Sequence, residues 1–171
     1  MKKTDAIIVD NKDDAKGIWW VNQARTKDET RYVLLNLHVK NGMITGTDGR
    51  RLHRYLLEEP IPDGLYSPIV VNKTKTILLK DTDGLTYPDC ENIIPKAPTL
   101  SGTPDLPADA DVAVAFILRM TPADVYINYK YVEQALNIDV PFKLWSIPED
   151  PFCFYHEKYF VMIMGKSARR K

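Results

Sequence analysis

Val33-Leu34-Leu35-Asn36-Leu37-His38-Val39-Lys40-Asn41-Gly42-Met43-Ile44-Thr45-Gly46-Thr47-Asp48-Gly49-Arg50-Arg51-Leu52 is the stretch whose reading decides the fold. Val33, Leu35, Leu37 and Val39 alternate with Asn36, His38 and Lys40, the period of a half-buried strand over Val33 to Val39. Asn41-Gly42 follows at once. A type I′ hairpin turn needs positive φ at both central positions, and this pair adopts it most readily. Met43 to Gly46 is the return strand, Thr47-Asp48-Gly49 a second tight turn, and Arg51 to Leu57 a third strand. The stretch therefore predicts a three-strand antiparallel meander.

Upstream, Ala6 to Val9 predicts a short strand. Asp10-Asn11 can cap a helix over Lys12 to Ala24, with Ala15, Ile18, Trp19 and Val21 on one side. Arg25 to Thr30 is a polar connection. The first unit thus runs strand, helix, meander. Downstream, Pro60, Pro62 and Gly64 break the pattern, and Tyr66 to Val71 and Thr76 to Lys80 predict strands around Asn72-Lys73. Pro95 to Pro107 holds four prolines and predicts a surface connector without helix or strand.

Val112, Val114, Phe116 and Leu118 alternate with smaller residues, which predicts a strand from Val112 to Met120. After Val125 to Ile127 come a short helix from Asn128 to Leu136 and a strand from Phe142 to Ile147. Pro148 to Pro151 is a turn, and Phe152 to Tyr155 and Tyr159 to Met164 form a hairpin around His156 to Lys158. The element order of the first unit is repeated. The expectation is an α+β chain forming one domain over 1–171. Its first unit covers about 5–95, its connector 95–110, its second unit about 111–165, and a basic tail 166–171.

Composition bounds the function. The 171 residues suit one domain, and 44% hydrophobic with 27% charged residues excludes a disordered or collagen-like chain. Lys plus Arg 23 balances Asp plus Glu 23, so bulk positive charge cannot drive nucleic-acid binding. Cys90 and Cys153 make no disulfide framework, which fits a reducing compartment. Only four apolar residues precede Asp10, too few for a secretory segment, and no apolar run approaches a membrane span. A soluble, cytoplasmic protein without membrane contact is expected.

Chemical motifs are sparse. The glycines form no phosphate loop, and His38, His53 and His156 stand apart with no metal-ligand spacing, so no metal or other cofactor is expected. Cys90 would need a histidine base brought to it by folding. A small metal-dependent DNA-processing enzyme using the carboxylates of Asp48, Asp81, Asp83, Glu58 and Glu59 is the enzymatic alternative, and nothing in their spacing selects it. Lys12 and Lys16 on the first helix and Lys130 on the second could face DNA, although Asp13, Asp14 and Glu133 are interleaved with them. The run Gly165 to Lys171 is basic and reads as a frayed end.

Thr47-Asp48-Gly49-Arg50-Arg51-Leu52 resembles the Thr-Asp-Gly-x-Arg-Leu turn of the bacterial sliding clamp, DNA polymerase III subunit beta. Arg31-Tyr32-Val33-Leu34-Leu35-Asn36 resembles that family's Arg-Tyr-x-Leu-Asn segment with one extra residue. Pro68-Ile69-Val70-Val71-Asn72-Lys73, Tyr87-Pro88-Asp89-Cys90 with Ile93-Ile94-Pro95, Tyr131-Val132-Glu133-Gln134-Ala135-Leu136 and Phe160-Val161-Met162-Ile163-Met164 are similar to further clamp segments in the family's order. The resemblance implies the DNA-clamp fold, two strand–helix–meander units with antiparallel sheets and two helices on one face. It implies a non-enzymatic module of DNA replication.

Carried over residue by residue, it implies a hydrophobic pocket for a partner peptide from a polymerase or another clamp-binding protein. The lining would be Thr47, Gly49, Arg51, Leu52, Pro88, Ile93, Met162 and Met164. Double-stranded DNA would be held without sequence reading, and ring closure from such short chains would take a homo-oligomer of about six copies joined through strand edges. A clamp subunit has three domains, whereas this chain has length for one, so the resemblance is to a condensed clamp of phage or mobile-element type. A phage accessory protein that keeps the fold for protein contacts, without encircling DNA, is the further alternative.

Overall fold

A computed structural model describes residues 6–96, 102–122, 124–146 and 151–167. The chain divides into two compact units, Met1–Pro88 and Asp89–Lys171. The first holds β1 (Ala6–Val9), α1 (Lys12–Asn22), β2 (Leu37–Lys40), β3 (Met43–Thr47), β4 (Arg51–Leu56), β5 (Gly64–Val71) and β6 (Thr76–Lys80). These strands are hydrogen-bonded in the order β1-β6-β5-β2-β3-β4, each pair antiparallel. Asn41 and Gly42 take φ of 52° and 75° between the paired Lys40 and Met43, the expected two-residue turn.

Helix α1 starts where its cap predicts, because the Asn11 side-chain oxygen accepts the Asp13 and Asp14 amides at 2.9 and 3.2 Å. It ends at Asn22, two residues before Ala24. Asp14, Gly17, Ile18, Val21 and Ala24 form its buried stripe, at spacings of three and four. Trp20, not Trp19, lies on the core side: Trp20 is fully buried, while Trp19 is half-buried with the Lys73 ammonium 4.3 Å from its ring centre. At Gly17 an added Cβ would stand 2.5 Å from the Tyr55 ring. The buried Asp14 carboxylate accepts the backbone N–H groups of Glu58 and Glu59 at 2.8 and 2.9 Å, tying the end of β4 to the helix.

The strand expected over Val33 to Val39 is corrected in its first half. Glu29–Leu35 forms two short 3-10 turns that meet at a kink at Arg31, and only Leu37–Lys40 is strand. Local partners take the backbone groups a ladder would need. Asp28 caps the Thr30 amide at 3.0 Å, Asn36 N–H donates to the Val33 carbonyl, and the Arg25 guanidinium donates to the Leu35 carbonyl at 2.6 Å.

The second unit holds a 3-10 turn at Glu91–Ile93, then α2 (Ala110–Met120), β7 (Val125–Tyr126), α3 (Tyr129–Leu136), β8 (Lys143–Ser146), β9 (Phe152–His156), β10 (Tyr159–Ile163) and β11 (Lys166–Ser167). Strands β8, β9 and β10 form an antiparallel meander, and β7 pairs with β11. Phe142 and Phe154 meet edge to face in its core at 5.9 Å. The strand expected over Val112 to Met120 is helix α2 instead. Asp109 caps it through the Val112 amide, and the buried residues are Ala113 and Ile117, four apart. A run apolar at nearly every position fits either period, so its alternation carried no information.

The strand–helix–meander plan does recur, as β7-α3-β8-β9-β10 after β1-α1-β2-β3-β4, with the strand of the second copy at Val125–Tyr126. Asn128 caps α3 through the Lys130 amide just as Asn11 caps α1. The proline-rich connector is not wholly free of pairing: Leu106 is buried and bonded to the Phe142 carbonyl, and Asp105 bridges Lys143. Lys166 and Ser167 are strand, not frayed end. Residues 97–101, Ile147 to Asp150 and Ala168 to Lys171 lie outside the described residues. Among the described residues no helix is long and apolar enough to cross a membrane.

Gly17→Ala separates packing from helix propensity. Propensity alone favours the alanine by about 1 kcal/mol, whereas the Tyr55 contact predicts a net loss of about 1–3 kcal/mol in urea unfolding.

Candidate partner-binding site

The turn between β3 and β4 is built by its own side chains. The Asp48 carboxylate accepts the amides of Arg50 and Arg51 at 2.9 and 3.1 Å and pairs with Arg51 Nε at 3.2 Å. Thr47 Oγ1 accepts the Gly49 amide at 3.0 Å and donates to the Arg51 carbonyl. Gly49 takes φ of 84° to close the turn. Arg51 is buried, and its Nη2 donates to the Gln23 carbonyl at 2.6 Å just past the end of α1, where a cation complements the helix dipole.

Arg31, on the 3-10 segment, donates to the Asp48 carbonyl at 2.7 Å, and an added Cβ at Gly49 would stand 3.2 Å from the Arg31 guanidinium. Exposed Tyr32 lies beside it in sequence. The strand reading of Val33 to Val39 missed this buttress. The Asp28-x-Thr30 capping pair was the signal that a helical turn starts there.

Thr47, Gly49, Arg51 and Leu52 are thus brought together in the first unit. Leu52 is only 1% exposed and belongs to that unit's core, and Pro88 is exposed at its end. In the second unit, Ile93 is 51% exposed on the turn that Asp89 caps, Met162 is buried opposite Cys153 in the β9–β10 pair, and Met164 is half-buried just after β10. Lys12 and Lys130 are exposed and Lys16 half-buried. Helix α1 carries two lysines and two aspartates, and α3 one lysine and one glutamate, so neither helix has net positive charge.

Neither Cys90 nor Cys153 is in a disulfide, and burial pushes the Cys153 thiol up to about 12 against a favourable Ser146 hydrogen bond, which keeps it protonated at neutral pH. Among the described residues no three His, Cys, Asp or Glu side chains converge as metal ligands.

Behind the turn, His53 is fully buried. Its ring stacks on Trp20 at 4.3 Å, and its Nδ1–H donates to the Trp20 carbonyl at 3.1 Å. Nε2 has no hydrogen-bond partner. Burial, with a smaller contribution from nearby Arg51, lowers its pKa from 6.5 to about 3, and the Trp20 carbonyl opposes the shift.

Repeated strand–helix–meander units on antiparallel sheets define a class, and the fold is that of the bacterial DNA sliding clamps. The chain matches DNA polymerase III subunit beta of Borrelia burgdorferi, solved with a natural product, at a TM-score of 0.66 and 12% identity, over 96% of this chain and 65% of that one. It matches the beta subunit of Thermotoga maritima at 0.65 and 12%, over 94% and 65%. It matches the Helicobacter pylori beta clamp bound to a DNA ligase peptide at 0.64 and 15%, over 95% and 65%. The chain thus spans just under two thirds of the length of these clamps. No protein-family profile matches the sequence, and no curated protein is similar to it in sequence.

His53 predicts a pH dependence of stability. Its folded pKa is depressed, so between 6.5 and about 3 the unfolded chain binds the extra proton, and stability falls as pH is lowered through that window. From pH 7 to pH 5, urea unfolding of His53→Gln should lose less stability than the native chain does, by about 2 kcal/mol.

Proposed function

We propose that the chain is a non-enzymatic, clamp-like module of DNA replication that holds a polymerase or another partner through a short apolar peptide. The observation that carries this reading is the clamp fold itself, matched over 94–96% of the chain in three species. The Helicobacter pylori clamp is bound to a DNA ligase peptide. By likeness, the residues that would meet a partner's peptide are Thr47, Gly49, Arg51, Leu52 and Pro88 in the first unit and Ile93, Met162 and Met164 in the second. Flexible methionines accept varied apolar anchors. The setting is the cytoplasm, no cofactor is required, and self-association is part of the reading.

The balanced charge of α1 and α3 favours protein contact over DNA contact as the main source of affinity. Double-stranded DNA would be held weakly through Lys12, Lys16 and Lys130, with strong salt dependence.

Fluorescence anisotropy with the DNA ligase peptide of the Helicobacter pylori complex tests the reading. The native chain should bind, and Ile93→Asp, an exposed position, should weaken binding at least about tenfold with unchanged thermal melting. Leu52→Asp is less informative because Leu52 is core. Absence of binding by the native chain, or equal binding by Ile93→Asp, overturns the proposal.

A further inference from the structure

The first unit also holds a cleft of about 510 Å3, a volume in the range of small-molecule sites, and neither Thr47, Gly49, Arg51 nor Leu52 lines it. Its lining includes His38 of β2 and Leu65 of β5, which pair across the sheet. Asp81 N–H donates to the Leu65 carbonyl at 2.8 Å. From there the chain folds back, so that the Tyr87 ring stacks on the His38 ring at 4.9 Å and 28°. Tyr87 is buried and Leu85 half-buried, which gives the cleft an aromatic and apolar wall.

The charged part of the lining is built differently. Asp63 Oδ1 accepts the amide of Asn41, the residue after Lys40, at 2.9 Å, so the Asp63 carboxylate and the Lys40 ammonium start from adjoining backbone. The two do not pair. Among the described residues Lys40 makes no ion pair and Asp63 Oδ2 accepts no hydrogen bond. Asp81 is already committed, because its carboxylate accepts the Asp83 amide at 2.7 Å and the Asn36 side-chain amide at 3.3 Å. A phosphate would meet two carboxylates here, and a simple cation would meet Lys40. A ligand with both charges close together and a flat apolar body meets neither penalty.

We infer that this cleft binds a free aromatic α-amino acid, with its carboxylate on Lys40, its ammonium on Asp63 and its ring against the His38–Tyr87 wall. The site lies within the first unit and does not depend on partner-peptide binding.

NMR titration of the full chain with L-tryptophan tests the inference. Amide shifts should move at 38–41, 63–65 and 81–87 and saturate with a Kd of about 0.1–1 mM, the range of a ligand this small. Tryptamine, which lacks the carboxylate, and indole-3-propionate, which lacks the ammonium, should each bind at least about tenfold more weakly. Lys40→Met should bring tryptophan down to the tryptamine level and leave tryptamine unchanged. Asp63→Asn, which keeps an acceptor for the Asn41 amide, should bring tryptophan down to the level of indole-3-propionate and covers the case in which Lys40→Met fails to fold. Ile93→Asp should leave tryptophan binding unchanged, which separates this site from the partner-peptide site. No saturable shift up to about 10 mM tryptophan, equal binding of tryptamine or indole-3-propionate, or a tryptophan affinity that Lys40→Met and Asp63→Asn leave intact each overturns the inference.

Discussion

Helix α1 lies on its sheet at a distance that only missing side chains permit. A Cβ at Gly17 would stand 2.5 Å from the Tyr55 ring, and one at Gly46 would stand 2.6 Å from the Val21 carbonyl. Helix and sheet therefore approach backbone to ring and strand to carbonyl, at two points one turn of helix apart. The rest of the first unit follows from that approach. Trp20 is driven flat onto His53, and the Asp14 carboxylate comes within reach of two amides past the end of β4. The carbonyl of Gln23 is presented to buried Arg51. The Asp14 carboxylate, the Arg51 guanidinium and His53 Nδ1 are thereby used as structural ties.

The same seam positions the candidate site. Arg51 reaches from the β3–β4 turn to the end of α1, so the turn is anchored to the helix as well as closed by Asp48 and Thr47. Arg31 buttresses it from the other side. A turn held by three elements is a rigid platform, and rigidity lowers the entropic cost of receiving a flexible peptide. The second unit reaches the same strand–helix–meander plan by different packing, with an aromatic core of Phe142, Phe152 and Phe154 and an asparagine cap in the matching place. One plan carried by two different cores, and by clamps only 12–15% identical to this chain, means that the arrangement of apolar faces specifies the fold more than any particular residue does.

The parts of the fold that were legible share a physical cause. Asn41-Gly42, the Asn11 cap, the Thr47-Asp48-Gly49 turn and the hairpin around His156 to Lys158 are local backbone demands met by residues within about four positions, and each was found where expected. The misreadings also share one. Val33 to Leu35 alternate like a strand, yet Arg25, ten residues before Leu35, takes its carbonyl. Val112 to Met120 is apolar at so many positions that helix and strand periods fit equally; in the structure α2 packs on α3, and Ala113 and Ile117 are its buried residues. Of the candidate site, the turn could be read as a motif. The burial of Leu52 and Met162 and the exposure of Ile93 could not, because an apolar side chain looks the same in sequence whether it floors a pocket or fills a core.

By itself, the sequence determined where the chain turns, where two of its helices begin, that the strands run antiparallel, and which family the fold resembles, because caps, turns and alternation act over a few residues. Only the tertiary structure decided which tryptophan enters the core, which apolar run becomes α2, and which strand edge the connector fills. Those outcomes rest on contacts between residues far apart in the chain: Gly17 with Tyr55, Trp20 with His53, Leu106 with Phe142. Such contacts depend on how closely two surfaces can approach, and that distance is written in no single segment.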